Sequence, residues 1–104
     1  MKQSEHLIKI KKATNCERYD MNDFYAVCPI PVDVLKSRKQ TGYISRWRQV
    51  GMVCARMSGM TQEKAGELFN RKHCNVIHAE KMVANSFHPL GDKWLNGIFK
   101  EVVK

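Results

Sequence analysis

Apolar residues recur every three or four positions through the middle of the chain, the spacing that predicts helices. In YISRWRQVGMVCARMSG, Trp47, Val50, Val53, Cys54 and Met57 fall on one helical stripe. Ser45 is placed to cap that helix, and Gly59 to stop it. MTQEKAGELF predicts a second helix with Thr61 as N-cap and Ala65, Leu68 and Phe69 on its inner face. Glu63 sits in its first turn, where the helix dipole favours a carboxylate. Asn70 and Arg71 make a tight connection to a longer helix, expected from Lys72 to Phe87 and ended by Pro89 and Gly91. DKWLNGIFKEVV predicts a last helix that buries Trp94, Leu95, Ile98, Phe99 and Val102, weakened at Gly97; the alternative for Trp94 and this helix is a protein–protein patch, a dimer seam included.

The first third is less regular. NCERYDMNDFYAVC predicts a three-turn helix capped by Asn15, with Tyr19, Met21, Phe24, Tyr25, Val27 and Cys28 as its apolar positions. Pro29 and Pro31 break it, because each lacks an amide donor and pushes the preceding residue toward extended geometry. Asp33 to Leu35 make one short turn, and KSRKQTG is a basic loop. HLIKIKK alternates only briefly, so residues 1–14 are expected to form a loose arm or short strand outside a single helical domain of residues 15–104. The pattern as a whole predicts an all-α fold, a small helical bundle.

Composition narrows the partners. A chain of 104 residues with 43% hydrophobic positions supports one small core. Of its net charge of +8, nearly all lies in residues 36–81, which carry ten basic and three acidic side chains. Residues 1–35 are balanced, five against five. A surface that meets a polyanion needs such a concentration; a solvated basic face kept for solubility is the plain alternative. MKQSEHLIKIKK has no apolar core of signal-peptide length, and no run approaches the ~20 apolar residues of a membrane span. The expectation is a cytoplasmic, nucleoid-associated protein. The cysteines at 16, 28, 54 and 74 form no C-x-x-C pair and are expected as reduced thiols.

LFNRKHCNVIHAEKMV, residues 68–83, crowds His73, Cys74 and His78 just after Arg71 and Lys72. At about 100° per residue, Val76, Ile77, Val83, Ala84 and Phe87 share one sector, the predicted buried face. Cys74, Asn75, His78, Lys81, Met82 and Asn85 fall opposite, and His73 lies nearer the apolar edge. Glu80 falls inside the apolar sector and is expected to reach an Arg or Lys at its rim. A short helix, a tight turn and a second helix with a polar N-terminal half make a helix-turn-helix pattern. In that motif the second helix enters the DNA major groove by its N-terminal residues.

RKHCNVIHAEKMV resembles the signature of the C-terminal DNA-binding domain of the bacterial replication initiator DnaA, Arg-Asp-His-Thr-Thr-Val-x-His-Ala. Arg71, His73, Val76, His78 and Ala79 match it; Lys72 stands in place of Asp, and Cys74 and Asn75 in place of the two Thr. The resemblance runs from about residue 32 to residue 83, through a short helix, a basic loop and an Arg-x-Arg-Gln helix. It implies a helical bundle of the TrpR and DnaA C-terminal-domain type, carrying a helix-turn-helix. It further implies base contacts at Lys72, His73, Cys74, Asn75 and His78, and phosphate or minor-groove contacts at Lys39 and Gln40. Gln40 falls where the family prefers Arg, and Lys72 donates where Asp accepts, so the target sequence is expected to differ. The 104 residues contain no G-x-x-x-x-G-K-[ST] motif, so neither the initiator's ATPase nor nucleotide binding is expected of them. The resemblance suggests a stand-alone domain of a phage, mobile-element or small regulatory protein.

Rival chemistries fit less well. His73 and His78 have finger-like spacing, but a zinc finger also needs a close Cys pair. A Cys–His nucleophile using Cys28 or Cys74 needs a pocket and a third, orienting group. Trp47 can stack on a base, but its place on an apolar stripe favours the core. The sequence therefore predicts a non-enzymatic binder of double-stranded DNA with no cofactor and no metal. Lys36, Arg38, Arg46, Arg48 and Arg71 join Lys39 and Gln40 along the DNA backbone, where contacts fix register without reading sequence. Asn75 can pair with adenine in two-pronged fashion, and His78 can donate to guanine or touch a thymine methyl. The alternative is an adaptor that keeps the fold but binds host replication proteins.

Overall fold

The structure, a computed structural model, describes residues 4–103. Among these residues it is 66% helix with no strand, as the periodicity predicts. The helices are α1 (Glu5–Thr14), α2 (Met21–Val27), α3 (Val32–Leu35), α4 (Gly42–Met57), α5 (Gln62–Glu67), α6 (His73–Asn85) and α7 (Lys93–Val102). No helix among the described residues is long and apolar enough to cross a membrane. The four cysteines are free thiols; Cys54 is buried and Cys74 exposed.

The bundle is organised around α4, which packs against all six other helices. Its sequence explains this, because Trp47, Val50, Met52, Val53, Cys54, Ala55 and Met57 leave little of its circumference polar. Gly51 is required at its centre. A Cβ there would come within 2.6 Å of the Phe69 ring and 2.8 Å of the Phe24 ring, which meet edge to face beside it. The two rings bring α2 and the end of α5 onto α4 and bury most of their surface. Trp47 lies in this core, 5% exposed, rather than at the surface.

Three N-terminal expectations change. Residues 5–14 are helix, not a loose arm or short strand. The Ser4 hydroxyl accepts from the Leu7 amide at 3.1 Å, which caps α1, and Leu7 and Ile10 bury one face against α4 and α6. Residues 1–3 of that arm, and residue 104 at the end of the expected domain, lie outside the described residues. Asn15 does not start a helix. It ends α1 in the left-handed conformation, φ 54°, a geometry Asn tolerates. Asp20 caps α2 instead, so this helix is two turns rather than three, and Tyr25 and Val27 remain exposed. Tyr19, before the cap, donates its hydroxyl to the Val102 carbonyl at 2.9 Å and ties this segment to α7.

Caps also set the later boundaries. Thr41, not Ser45, caps α4. Thr61 caps α5 and Gly59 ends the preceding turn with φ 106°, both as predicted. α6 is shorter than the expected span of Lys72 to Phe87, because the amides of Ser86, Phe87 and His88 turn back onto the last carbonyls. Its buried face is also rotated from the predicted one. Val76, Ala79, Glu80, Val83 and Ala84 are buried, whereas Ile77 is 43% exposed. Trp94 on α7 is 50% exposed and does not close the core as expected; Leu95, Ile98, Phe99 and Val102 do.

Candidate nucleic-acid interface

The connection between α5 and α6 is built by its own backbone. Phe69 and Arg71 amides both donate to the Gly66 carbonyl, at 3.0 and 2.8 Å, and the Asn70 amide donates to Glu67 at 3.1 Å. Asn70 takes the left-handed conformation, φ 55°. Gly66 is needed because a Cβ there would come within 2.6 Å of the Arg71 carbonyl oxygen. This turn sets α6 against α5 and α4 with its first residues facing outward. Lys72, the N-cap of α6, makes no side-chain cap, so the first amides of the helix are left to solvent or a ligand.

Lys72, His73, Cys74, Asn75 and His78 are all exposed, and Lys81 continues the strip a turn further on. The Cys74 thiol points at the Asn75 side-chain oxygen at 3.5 Å. Among the described residues no three His, Cys, Asp or Glu side chains are grouped to hold a metal ion. His73, Cys74 and His78 thus share a surface rather than a common centre.

The basic loop, residues 36–41, is held in place by arginine. Arg48 is only 4% exposed. Its guanidinium donates to the carbonyls of Leu35 at 2.7 Å, Ser37 at 3.3 Å and Lys39 at 2.8 Å. Arg71 reaches the same Ser37 carbonyl at 2.7 Å from the α5–α6 turn, and also donates to Phe69 and Asn70. Two cations thus converge on one carbonyl and lock loop and turn together. Burial, and then the Arg71 charge, pull the Arg48 guanidinium below its ordinary pKa, though an arginine stays charged through any ordinary pH. Arg48, predicted as a DNA-backbone contact, is therefore a buried positioning residue. With its donors turned onto the carbonyls, it presents little to a phosphate. Lys36, Arg38, Lys39 and Gln40 are left exposed on the loop it shapes.

Gln40 from the loop, Gln49 from α4, Arg71 from the turn, and Asn75 and His78 from α6 line one shallow notch of about 180 Å³. Residues 35 positions apart in the chain are brought to one place by the two arginines. Ser45 and Gln49 were missed from the sequence. They lie with Arg48 and Met52 at spacings of three and four along α4, a mostly polar stripe whose periodicity is visible once the helix is known. Arg46 lies elsewhere. It pairs with Asp92 at 2.9 Å, donates to Gly42 at 3.0 Å and covers the Trp94 ring at 4.2 Å. The predicted DNA-backbone role of Arg46 finds no geometric support, since its charge is already engaged on another face.

No family model, curated protein or solved structure matches this chain.

What the surface can do follows from its chemistry. Three carboxamides, of Gln40, Gln49 and Asn75, each both donate and accept, and the His78 ring offers one further site of either kind. Lysines and arginines frame them, and none of the exposed residues from 72 to 78 is acidic. Such a surface suits a polar, anionic and extended ligand.

Proposed function

We propose that the protein binds double-stranded DNA, with α5 and α6 as a helix-turn-helix and α6 lying in the major groove. The observation that carries this reading is the notch. It unites the free N-terminal half of α6 with the basic loop, so groups able to discriminate bases stand beside groups able to hold phosphate. Asn75 is the adenine reader and His78 contacts guanine or a thymine methyl. His73 and Cys74 flank them on the exposed surface. Lys36, Arg38, Lys39 and Lys72 hold the phosphates, with Arg71 contributing what its carbonyl contacts leave free. Ile77, exposed beside this strip, adds an apolar surface for a thymine methyl.

The resemblance of residues 32–83 to the DnaA domain attaches this binding to replication or its control. Selection of bound sequences from random duplexes, followed by a gel shift at low salt, tests the proposal. Enrichment of one short motif supports it. Recovery of unenriched sequence, or no shift at all, counts against a base-reading role.

A further inference from the structure

The side of α4 turned away from the notch carries an aromatic cluster that DNA binding leaves unused. At about 100° per residue, Tyr43, Arg46 and Trp47 face opposite Ser45, Arg48 and Gln49. Tyr43 is 43% and Trp94 50% exposed, and their rings stack at 6.2 Å between centroids, 25° from parallel. Arg46, fixed by Asp92, lies on the Trp94 ring. Tyr43, Trp47, Trp94, Gly97, Lys93 and Glu101 border an open groove of about 440 Å³. Trp47 is almost wholly buried, and its indole N–H finds no acceptor among the described residues. Two half-exposed aromatic rings stacked beside an open groove are a contiguous apolar patch of the kind that marks an interaction site, and Trp, Tyr and Arg are the residues that dominate interface centres.

The pattern on α7 indicates which partner. Lys93, Trp94, Gly97 and Glu101 are its exposed positions on this groove, and Lys100 is exposed outside the groove lining, all spaced by three and four around Gly97. Lys93 and Glu101, of opposite charge, lie four residues either side of Gly97; Trp94 and Lys100 lie three residues either side. A Cβ at Gly97 would meet nothing within 4 Å, so the stripe is open at its midpoint. We infer that this face is a homodimer interface in which the α7 helices of two copies pack antiparallel about a two-fold axis at Gly97. Such an axis sets each residue against its mirror position in the second copy. Lys93 then meets Glu101 of the second copy, and the Lys100 stem of the second copy packs beside Trp94, whose ring faces are already met by Arg46 and Tyr43. Gly97 meets Gly97, where the missing side chain lets the backbones approach. The interface is self-complementary as it stands, whereas a foreign partner would need no such antisymmetry of charge. Both notches stay open in the dimer.

Sedimentation equilibrium of the full chain without DNA, over a wide concentration range, tests this independently of the DNA proposal. Lys93→Glu and Glu101→Lys each set like charges against each other twice, yet both suit the helix dipole, so α7 is kept. The wild type is expected to dimerise with concentration, and each single variant to dissociate about tenfold or more readily. The double variant, Lys93→Glu with Glu101→Lys, restores opposite charges and is expected to return to within about threefold of the wild type. Circular dichroism confirms that each variant is folded. A wild type that stays monomeric throughout, a dimer indifferent to the single changes, or a double variant no better than the singles overturns the inference.

Discussion

Glu80 and Arg56 meet at 2.8 Å between α6 and α4, and the carboxylate has no exposed surface. Its other oxygen accepts from Ser4 Oγ at 3.0 Å and Gln62 Nε2 at 3.2 Å, while Arg56 also donates to the Met60 carbonyl at 2.7 Å. One buried carboxylate therefore joins the starts of α1 and α5 to the last turn of α4 and the middle of α6. A buried ion pair often contributes little relative to a well-packed apolar substitute, but breaking one side of it is costly. Its polar partners fix how α6 is rotated, and so which residues it presents.

Glu80→Ala is expected to destabilise the fold by about 3–5 kcal/mol, since Arg56 keeps its charge in a site that has lost the counter-charge. Glu80→Gln, which retains hydrogen bonds, is expected to cost less. Urea unfolding measures both. A loss under about 1 kcal/mol for the alanine variant would show that water replaces the carboxylate readily and the network is not structural.

Arg48→Lys keeps the charge and loses the planar fork that reaches three carbonyls of the basic loop. Faster hydrogen exchange in residues 36–41 is expected, with a stability loss of about 1–3 kcal/mol. Exchange equal to the wild type would mean that Arg71 alone holds the loop.

The rotation of α6 shows where sequence reasoning reached and where it stopped. Thr61, Gly59 and the apolar stripe of α4 were legible because caps and periodicity are local. Ile77 was not, and Glu80 only in part. Ile77 was expected inside and lies outside; Glu80 does fall in the buried sector and does pair with an arginine, but wholly buried rather than at the rim. The deciding fact, a guanidinium at position 56 and two polar groups from other helices, has no local signature. α1 was hidden for a similar reason: HLIKIKK alternates locally, and only the α4–α6 surface and the Ser4 cap select helix. Cys74, Asn75, His78 and Lys81 were read correctly as exposed, because both the predicted and observed rotations leave them outside. Arg46 and Arg48 looked equivalent to Lys39 in sequence; their partners Asp92 and the loop carbonyls are what separate them.

Asp92 caps α7 through the Leu95 amide at 3.0 Å and pairs with Arg46. Burial pushes its carboxyl up, but the Leu95 amide and the Arg46 charge outweigh this and hold it below its ordinary 3.8. The contribution to stability is therefore complete above the ordinary value and lost as pH falls through the lower folded one. Asp92→Ala is expected to cost about 0.5–2 kcal/mol at neutral pH. That difference from the wild type should hold down to about pH 5 and shrink below about pH 4. A gap that grows in acid would contradict the assignment of the charged form to the cap.

Asn75→Ala and Lys39→Ala are expected to fail differently on DNA. Asn75 offers a discriminating carboxamide, so its loss should cost about 1–3 kcal/mol on the selected site, relax one base position and leave random duplexes nearly unaffected. Lys39 offers a mobile charge, so its loss should weaken both duplexes alike. Both side chains are exposed, and stability should hold within about half a kcal/mol. Equal losses on both duplexes for Asn75→Ala would remove α6 from the role of base reader.

The most direct measurement is an equilibrium titration of the wild-type protein against its selected duplex and a scrambled one, repeated across salt concentrations. With Arg46 and Arg48 engaged within the fold, four to five of Lys36, Arg38, Lys39, Arg71 and Lys72 remain for phosphate. The logarithm of the affinity should then fall with the logarithm of salt at a slope of about −4, on both duplexes. The selected duplex should bind at least about a thousandfold more tightly at physiological salt. A slope near zero, or equal affinity for the two duplexes, would contradict sequence-dependent DNA binding by this surface.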